Sequence, residues 1–156
     1  MDTQNQGKLY LVTGASGYVG GRLVRDLMSD KKRVRVFVRD AKKIQGQSWA
    51  SDVEIVEGNA SNAADLDRAL VGVHTAYYLL HSINVSTDFE VIEAEMAKRF
   101  ADSAESANVK QIIYLGGIAN DENRSRHLTS RMDTGKNLAS SSVPVLELRA
   151  GIIIGS

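Results

Sequence analysis

The stretch Leu9-Tyr-Leu-Val-Thr-Gly-Ala-Ser-Gly-Tyr-Val-Gly20 decides how this chain folds. Its first four residues are apolar and of strand length, which predicts a buried strand. The residues that follow Gly20 carry Leu23, Val24 and Leu27 at helical spacing. A strand that passes through closely spaced glycines into a helix is the context that a phosphate-binding loop requires.

Each glycine of this loop has its own task. Gly14 permits the turn off the strand, Gly17 lets the backbone approach a pyrophosphate, and Gly20 lets the helix lie close to the sheet. The free N–H groups of the helix N-terminus favour a phosphate there. The alternative is a glycine-rich turn without a ligand, but strand, loop and helix agree with one another. We therefore predict that a dinucleotide contacts Gly14, Ser16, Gly17, Tyr18, Val19 and Gly20.

Strand-like and helix-like segments alternate along the rest of the chain. This alternation predicts βαβ units and a Rossmann-type, doubly wound α/β fold with helices on both faces of a parallel sheet. Right-handed crossovers favour the strand order 3-2-1-4-5-6. We predict one domain over residues 1–156, with the later strands at Arg33–Val38, Val53–Val56, Val73–Leu80, Val109–Leu115 and Val145–Leu148.

Two helix starts carry capping signals. Ser61 can cap a short helix, and Thr87–Glu90 has the spacing of a capping box. The box opens a long helix whose charged residues, Glu93 among them, are expected on its solvated face. Its expected apolar face carries Phe89, Ile92, Met96, Phe100 and Ala104.

Composition excludes several classes of function. The 19 basic and 19 acidic side chains cancel, so no global field would attract nucleic acid. No apolar run is long enough to span a membrane, and the polar N-terminus is unlike a signal peptide, so we expect a cytoplasmic protein. Cysteine is absent, and His74 and His81 are seven residues apart on opposite faces of a strand, so no metal site is predicted.

The spacing Gly14-x-x-Gly17-x-x-Gly20 resembles that of the short-chain dehydrogenase/reductase superfamily, above all its extended and atypical members. These include NmrA-like and NAD-dependent epimerase/dehydratase-like proteins. Val36–Asp40, Val56–Asn59 and Leu148–Gly151 follow in the matching order. The resemblance implies an NAD(P)-binding oxidoreductase, epimerase or dehydratase with a small-molecule substrate and a substrate lobe beyond Ser156. It leaves the substrate and the oligomeric state open.

The end of the second strand favours NADP over NAD. Arg39 stands where it can contact the 2′-phosphate of the adenosine ribose, and Ser16 can offer its hydroxyl there. The alternative is that Arg39 is a solvated strand end and that Asp40 binds the ribose of NAD. By resemblance, Asn59 and Ala60 lie beside the adenine, and Leu79, Leu80 and His81 approach the nicotinamide ribose.

The chain departs from the catalytic pattern of this superfamily. Its reductases use a serine after the fifth strand and a Tyr-x-x-x-Lys on the next helix, but here Gly116-Gly117 and His127…Arg131 stand in those registers. Arg131 can still contact a ribose or phosphate, whereas His127 is most simply an exposed residue at a helix start. We therefore assign no catalytic residue. A non-catalytic, dinucleotide-sensing module of the NmrA-like kind is the alternative to an enzyme.

Overall fold

A computed structural model describes residues 7–81, 88–118, 126–151 and 153 of the chain. Its centre is a six-stranded parallel sheet with the order β3-β2-β1-β4-β5-β6, which confirms the predicted order. The predicted strands are present; β2 has the predicted bounds, and each of the other strands has at least one end that differs by one or two residues. They are β1 Leu9–Thr13, β2 Arg33–Val38, β3 Glu54–Glu57, β4 Val73–Tyr78, β5 Gln111–Gly117 and β6 Val145–Ala150.

Helices cover both faces of this sheet. They are α1 Tyr18–Ser29, α2 Ala63–Leu70, α3 Phe89–Ser106 and α4 Arg126–Leu138. On one face, Leu66, Phe100 and Leu138 of α2, α3 and α4 join one apolar core. On the other face, Val24 and Leu27 of α1 pack into a second core. None of the helices within the described residues is long and apolar enough to cross a membrane.

The cap of α2 differs from the prediction by one residue. Asn62, not Ser61, is the N-cap, and its side-chain oxygen accepts hydrogen bonds from the backbone N–H groups of Ala64 and Asp65. Ser61 lies in the preceding turn, where its N–H donates to the side chain of Asn59. When two capping residues are adjacent, as Ser61 and Asn62 are, the sequence alone does not show which of them is the N-cap.

The long helix α3 buries Phe89, Phe100 and Ala104, as predicted for its apolar face, but differs from the prediction at two positions. Glu93 is only 9% exposed, which corrects its assignment to the solvated face, whereas Ile92 is 42% exposed. The reason is that the buried residues of α3 recur at Phe89, Glu93, Ala97 and Phe100, and the Ser130 hydroxyl of α4 donates to the Glu93 carboxylate. A buried polar partner thus stabilises a carboxylate that periodicity alone places in water. Thr87 of the predicted capping box lies outside the described residues, and the N-cap is Asp88.

Candidate functional site

A cleft of about 470 Å³ opens at the carboxyl ends of the strands. It lies beside β1 and β4, between which the direction of winding reverses, and ligands bind at this point in doubly wound sheets. Residues that follow four neighbouring strands contribute to its walls. They include Gly14, Arg39, Leu79 and Gly116, which follow or end β1, β2, β4 and β5 respectively.

The glycine loop is seated directly on the end of β4. Gly14 has φ +68°, and a Cβ added to it would lie 2.7 Å from the carbonyl oxygen of Leu79. The buried Thr13 hydroxyl donates to the carbonyl oxygen of Tyr77 and accepts from the backbone N–H of Leu79, both at 2.9 Å. Backbone conformation and close approach therefore both require glycine at position 14.

The first turn of α1 presents its N-terminus to the cleft. Gly17 is the N-cap and has no side chain with which to cap the helix. A Cβ on Gly20 would lie 2.2 Å from the carbonyl oxygen of Gly14, so the helix can approach the loop only without one. Because no side chain caps the first turn, the free N–H groups of that turn suit an anionic ligand. This cradle, which side chains at these positions would fill, fits a pyrophosphate.

Two cations line the cleft beyond β2. They are Arg39 and Lys43, with Asp40 between them in the wall. One oxygen of Asp40 caps the short 3₁₀ turn Ala41–Ile44 by accepting from the N–H of Lys42 at 2.9 Å. That turn carries Lys43 into the wall, and the sequence gives no signal for Lys43 because the turn is not periodic.

The loop after β3 contributes Gly58 and Ala60 to the cleft, but not Asn59. The side-chain oxygen of Asn59 accepts a hydrogen bond from the backbone N–H of Ser61. The backbone N–H of Asn59 donates to the Asp65 carboxylate at 2.9 Å. The predicted residue is therefore adjacent to the cleft wall while its side chain holds the turn.

The far wall lies beyond β4 and β5 and contains His81 and Arg131. The guanidinium of Arg131 lies beside Gly117, where an added Cβ would stand 3.5 Å from the Arg131 Nη1 and 3.2 Å from a Leu128 methyl group. Gly117 therefore lies in the contact layer of Arg131 and Leu128. His127 is exposed at the start of α4 and stacks on the Phe89 ring at 4.8 Å, and it is not among the residues that line the cleft.

Polar groups are buried behind this wall. The Tyr114 hydroxyl donates to the carbonyl oxygen of Arg131 at 2.9 Å, and burial raises the pKa of Tyr114 to about 12. Burial and the Glu93 carboxylate raise the pKa of Tyr78. His81 is exposed along the cleft, but protein atoms on its other sides desolvate the imidazole. This desolvation, together with the charge of Arg131, lowers the pKa of His81, while the charge of Glu93 opposes the effect.

The structure brings nearly all the predicted site residues into this one cleft. Asn59 is the exception among them. The residues that sequence reasoning missed include Lys43, Gly58 and Met96, which come from a turn, a loop and a helix face. Within the described ranges, no group of three or more histidine, aspartate or glutamate side chains could hold a metal ion.

Comparisons with known proteins identify the family of this chain. Residues 14–141 match the family described as NAD(P)H-binding. The chain is 31% identical over 114 residues to the (4-alkanoyl-5-oxo-2,5-dihydrofuran-3-yl)methyl phosphate reductase of Streptomyces griseus, covering 73% of this chain and 36% of that protein. It is 26% identical over 119 residues to an NmrA-like family domain-containing oxidoreductase of Aspergillus flavus, covering 70% and 34%.

A solved structure shares the fold. The NADPH complex of the NADPH-dependent quinone oxidoreductase of Escherichia coli superposes with a TM-score of 0.75 at 25% identity. The match covers 90% of this chain and 48% of that one. The chain therefore spans about a third of the length of the curated relatives it matches and about half of this solved structure.

Proposed function

Because the chain belongs to the NAD(P)H-binding family, with NmrA-like oxidoreductases among its relatives, we propose that it binds NADP(H) in the cleft as the cofactor half of an oxidoreductase. The pyrophosphate would lie at Gly14–Gly20 and the adenosine ribose beside Arg39. The nicotinamide would lie toward His81 and Arg131, where it would supply or accept a hydride. A substrate lobe outside this chain is part of the proposal.

One observation supports NADP(H) over NAD(H). Arg39 and Lys43 both line the β2 side of the cleft, and the neighbouring carboxylate of Asp40 already accepts a hydrogen bond as a cap. A cationic pair favours a 2′-phosphate, whereas binding of an unphosphorylated ribose needs a carboxylate that is available to its hydroxyl groups. The proposal therefore assigns the 2′-phosphate to Arg39, with Lys43 as a second cation.

Replacing Arg39 with glutamine tests this assignment. We expect NADPH binding to weaken by about 1.5–3 kcal/mol, the value of a lost charge-assisted hydrogen bond, while NADH binding changes little. Cofactor fluorescence titrations measure both dissociation constants. Lys43→Gln should act in the same direction, and Lys42→Gln is its matched control because Lys42 does not line the cleft. Equal losses for NADPH and NADH would show that Arg39 binds no 2′-phosphate.

A second candidate function is dinucleotide sensing without turnover. It is supported by the position of His127 on Phe89, away from the cleft, and by Gly117 in the serine register. The two functions differ in one measurable property, since only an oxidoreductase oxidises bound NADPH when an acceptor is supplied.

A further inference from the structure

An oxidoreductase that forms an alcohol needs a proton donor beside the nicotinamide, and the usual tyrosine is missing. The titratable groups among the described residues of the cleft wall are Tyr18, Arg39, Asp40, Lys43, His81 and Arg131. The first four lie in the first turn of α1 or beyond β2. Only His81 and Arg131 lie at the β4–β5 end, and an arginine does not release its proton near neutral pH.

Neighbouring aromatic residues do not provide an alternative. Tyr78 and Tyr114 are buried beneath the cleft, with exposed fractions of 2% and 0%. The ring of Tyr78 packs edge-on against the ring of Phe100, with 5.0 Å between their centroids. The hydroxyl of Tyr114 donates a hydrogen bond to the backbone carbonyl oxygen of Arg131 in α4. His81 is therefore the group in this wall that can exchange a proton with a ligand near neutral pH.

Charged groups reach His81 from both helices that pack against this end of the sheet. Arg131 of α4 lines the same wall of the cleft as His81, and Met96 of α3 lines the cleft one turn after the buried Glu93. Glu93 is held in place by the Ser130 hydroxyl, the residue before Arg131. The charge of Arg131 opposes protonation of the His81 imidazole and lowers its pKa, whereas the charge of the Glu93 carboxylate favours protonation.

We propose that His81 is the proton-transferring catalytic residue of this site and that Glu93 is the positioning residue that supports its protonated form. The inference rests on the proposed function. In the reducing direction, the acceptor carbon of a carbonyl gains the hydride that a bound nicotinamide supplies. The His81 N–H bond breaks and its proton forms the O–H bond of the alcohol, and the neutral imidazole then takes a proton from water.

The first test measures the pKa of His81 by NMR titration of its ring protons, which needs no turnover. Glu93→Gln should lower this pKa, and Arg131→Gln should raise it, because the two substitutions remove charges of opposite sign. Glu95→Gln is the matched control, since Glu95 is exposed on the same helix. If neither Glu93→Gln nor Arg131→Gln moves the pKa in a folded protein, the proposal is overturned.

The second test supplies the protein with NADPH and a panel of aldehydes and ketones. His81→Gln should lower the rate of reduction by about 10²–10⁴, the usual worth of general acid–base catalysis. NADPH affinity should change by no more than about fivefold, the loss of one neutral hydrogen bond. His127→Gln is the control, and the pH midpoint of the rate should move in Glu93→Gln in the same direction as the NMR pKa.

These readouts separate the two proposals. Failure of the unmodified protein to bind NADPH would overturn the proposed function. NADPH binding without reduction of any carbonyl would overturn the role of His81 and support the sensing function. Equal rates in His81→Gln and the unmodified protein would leave cofactor binding intact and contradict proton transfer by His81.

Discussion

At the scale of single residues, glycine matters where another backbone approaches. The sequence predicted the purpose of Gly14 and Gly20, and the structure supplies the contacts: a Cβ at these positions would meet backbone oxygens at 2.7 and 2.2 Å. Neither oxygen belongs to a flexible side chain that could move aside. Exchange at either position must therefore displace the loop itself.

Gly20→Ala should destabilise the domain by about 1–3 kcal/mol, the usual cost of overpacking, because α1 must move away from the loop. Urea unfolding measures the change. Gly46→Ala is the matched control, since nothing lies within 4 Å of its Cβ position and its φ is not positive. A stability loss as large at Gly46 as at Gly20 would contradict the contact argument.

Sequence reasoning missed Lys43 and misplaced Glu93 for two different reasons. Lys43 reaches the cleft through a 3₁₀ turn, and the buried Glu93 carboxylate accepts a hydrogen bond from the hydroxyl of Ser130, 37 residues away. The turn has no periodic pattern, and the partner of Glu93 is too distant in sequence to leave a local signal. The glycine loop was predictable because its strand, turn and helix are consecutive in sequence and each obeys a local steric rule.

At the scale of elements, Arg35 joins three parts of the fold at one edge of the sheet. Its guanidinium on β2 donates to Glu54 of β3 through two nitrogens, at 2.9 and 2.7 Å. It also donates to the carbonyl oxygens of Ala69 and Val71 at the end of α2, both at 2.8 Å. The planar fork reaches all three partners at once, which a lysine ammonium cannot do.

Arg35→Lys should therefore cost about 1.5–3 kcal/mol of unfolding free energy. Arg33→Lys is the matched control, because Arg33 is more exposed and makes one bond to the same carboxylate. The hydrogen bond from Arg35 lowers the pKa of Glu54, so this stability is present above the ordinary carboxyl pKa and is lost as pH falls through the folded value. Stability measured from pH 6 to pH 3 should fall less in Glu54→Gln; an unchanged slope would contradict the linkage.

At the scale of the whole molecule, the strand order and the two-sided packing followed from the alternation of strands and helices. The alternation is visible in the sequence. The crossover connection of a βαβ unit is almost always right-handed, so the alternation also predicts the order of the strands. The position of the cleft followed in turn, since the winding reverses beside β1. The role proposed for His81 did not follow from the sequence, because it depends on how α3 and α4, which carry Glu93 and Arg131, are rotated against the sheet.

Cofactor binding should stabilise the entire domain, because the cleft draws on residues after four strands. NADPH at 100 times its Kd should raise the unfolding free energy by about 2.7 kcal/mol. Urea unfolding with and without NADPH measures this difference. Gly20→Ala should show a smaller increase at the same NADPH concentration, and an unchanged midpoint for the unmodified protein would contradict binding to the folded state.

The bridge made by Thr13 has a consequence for the kinetics of capture. Its hydroxyl links the ends of β1 and β4 through protein groups alone, just where the paired strands separate. The distance between the ends of β1 and β4 is thereby fixed by the fold and does not depend on a bound ligand. For the proposed dinucleotide, we therefore expect diffusion and orientation to set the association rate at these two strand ends.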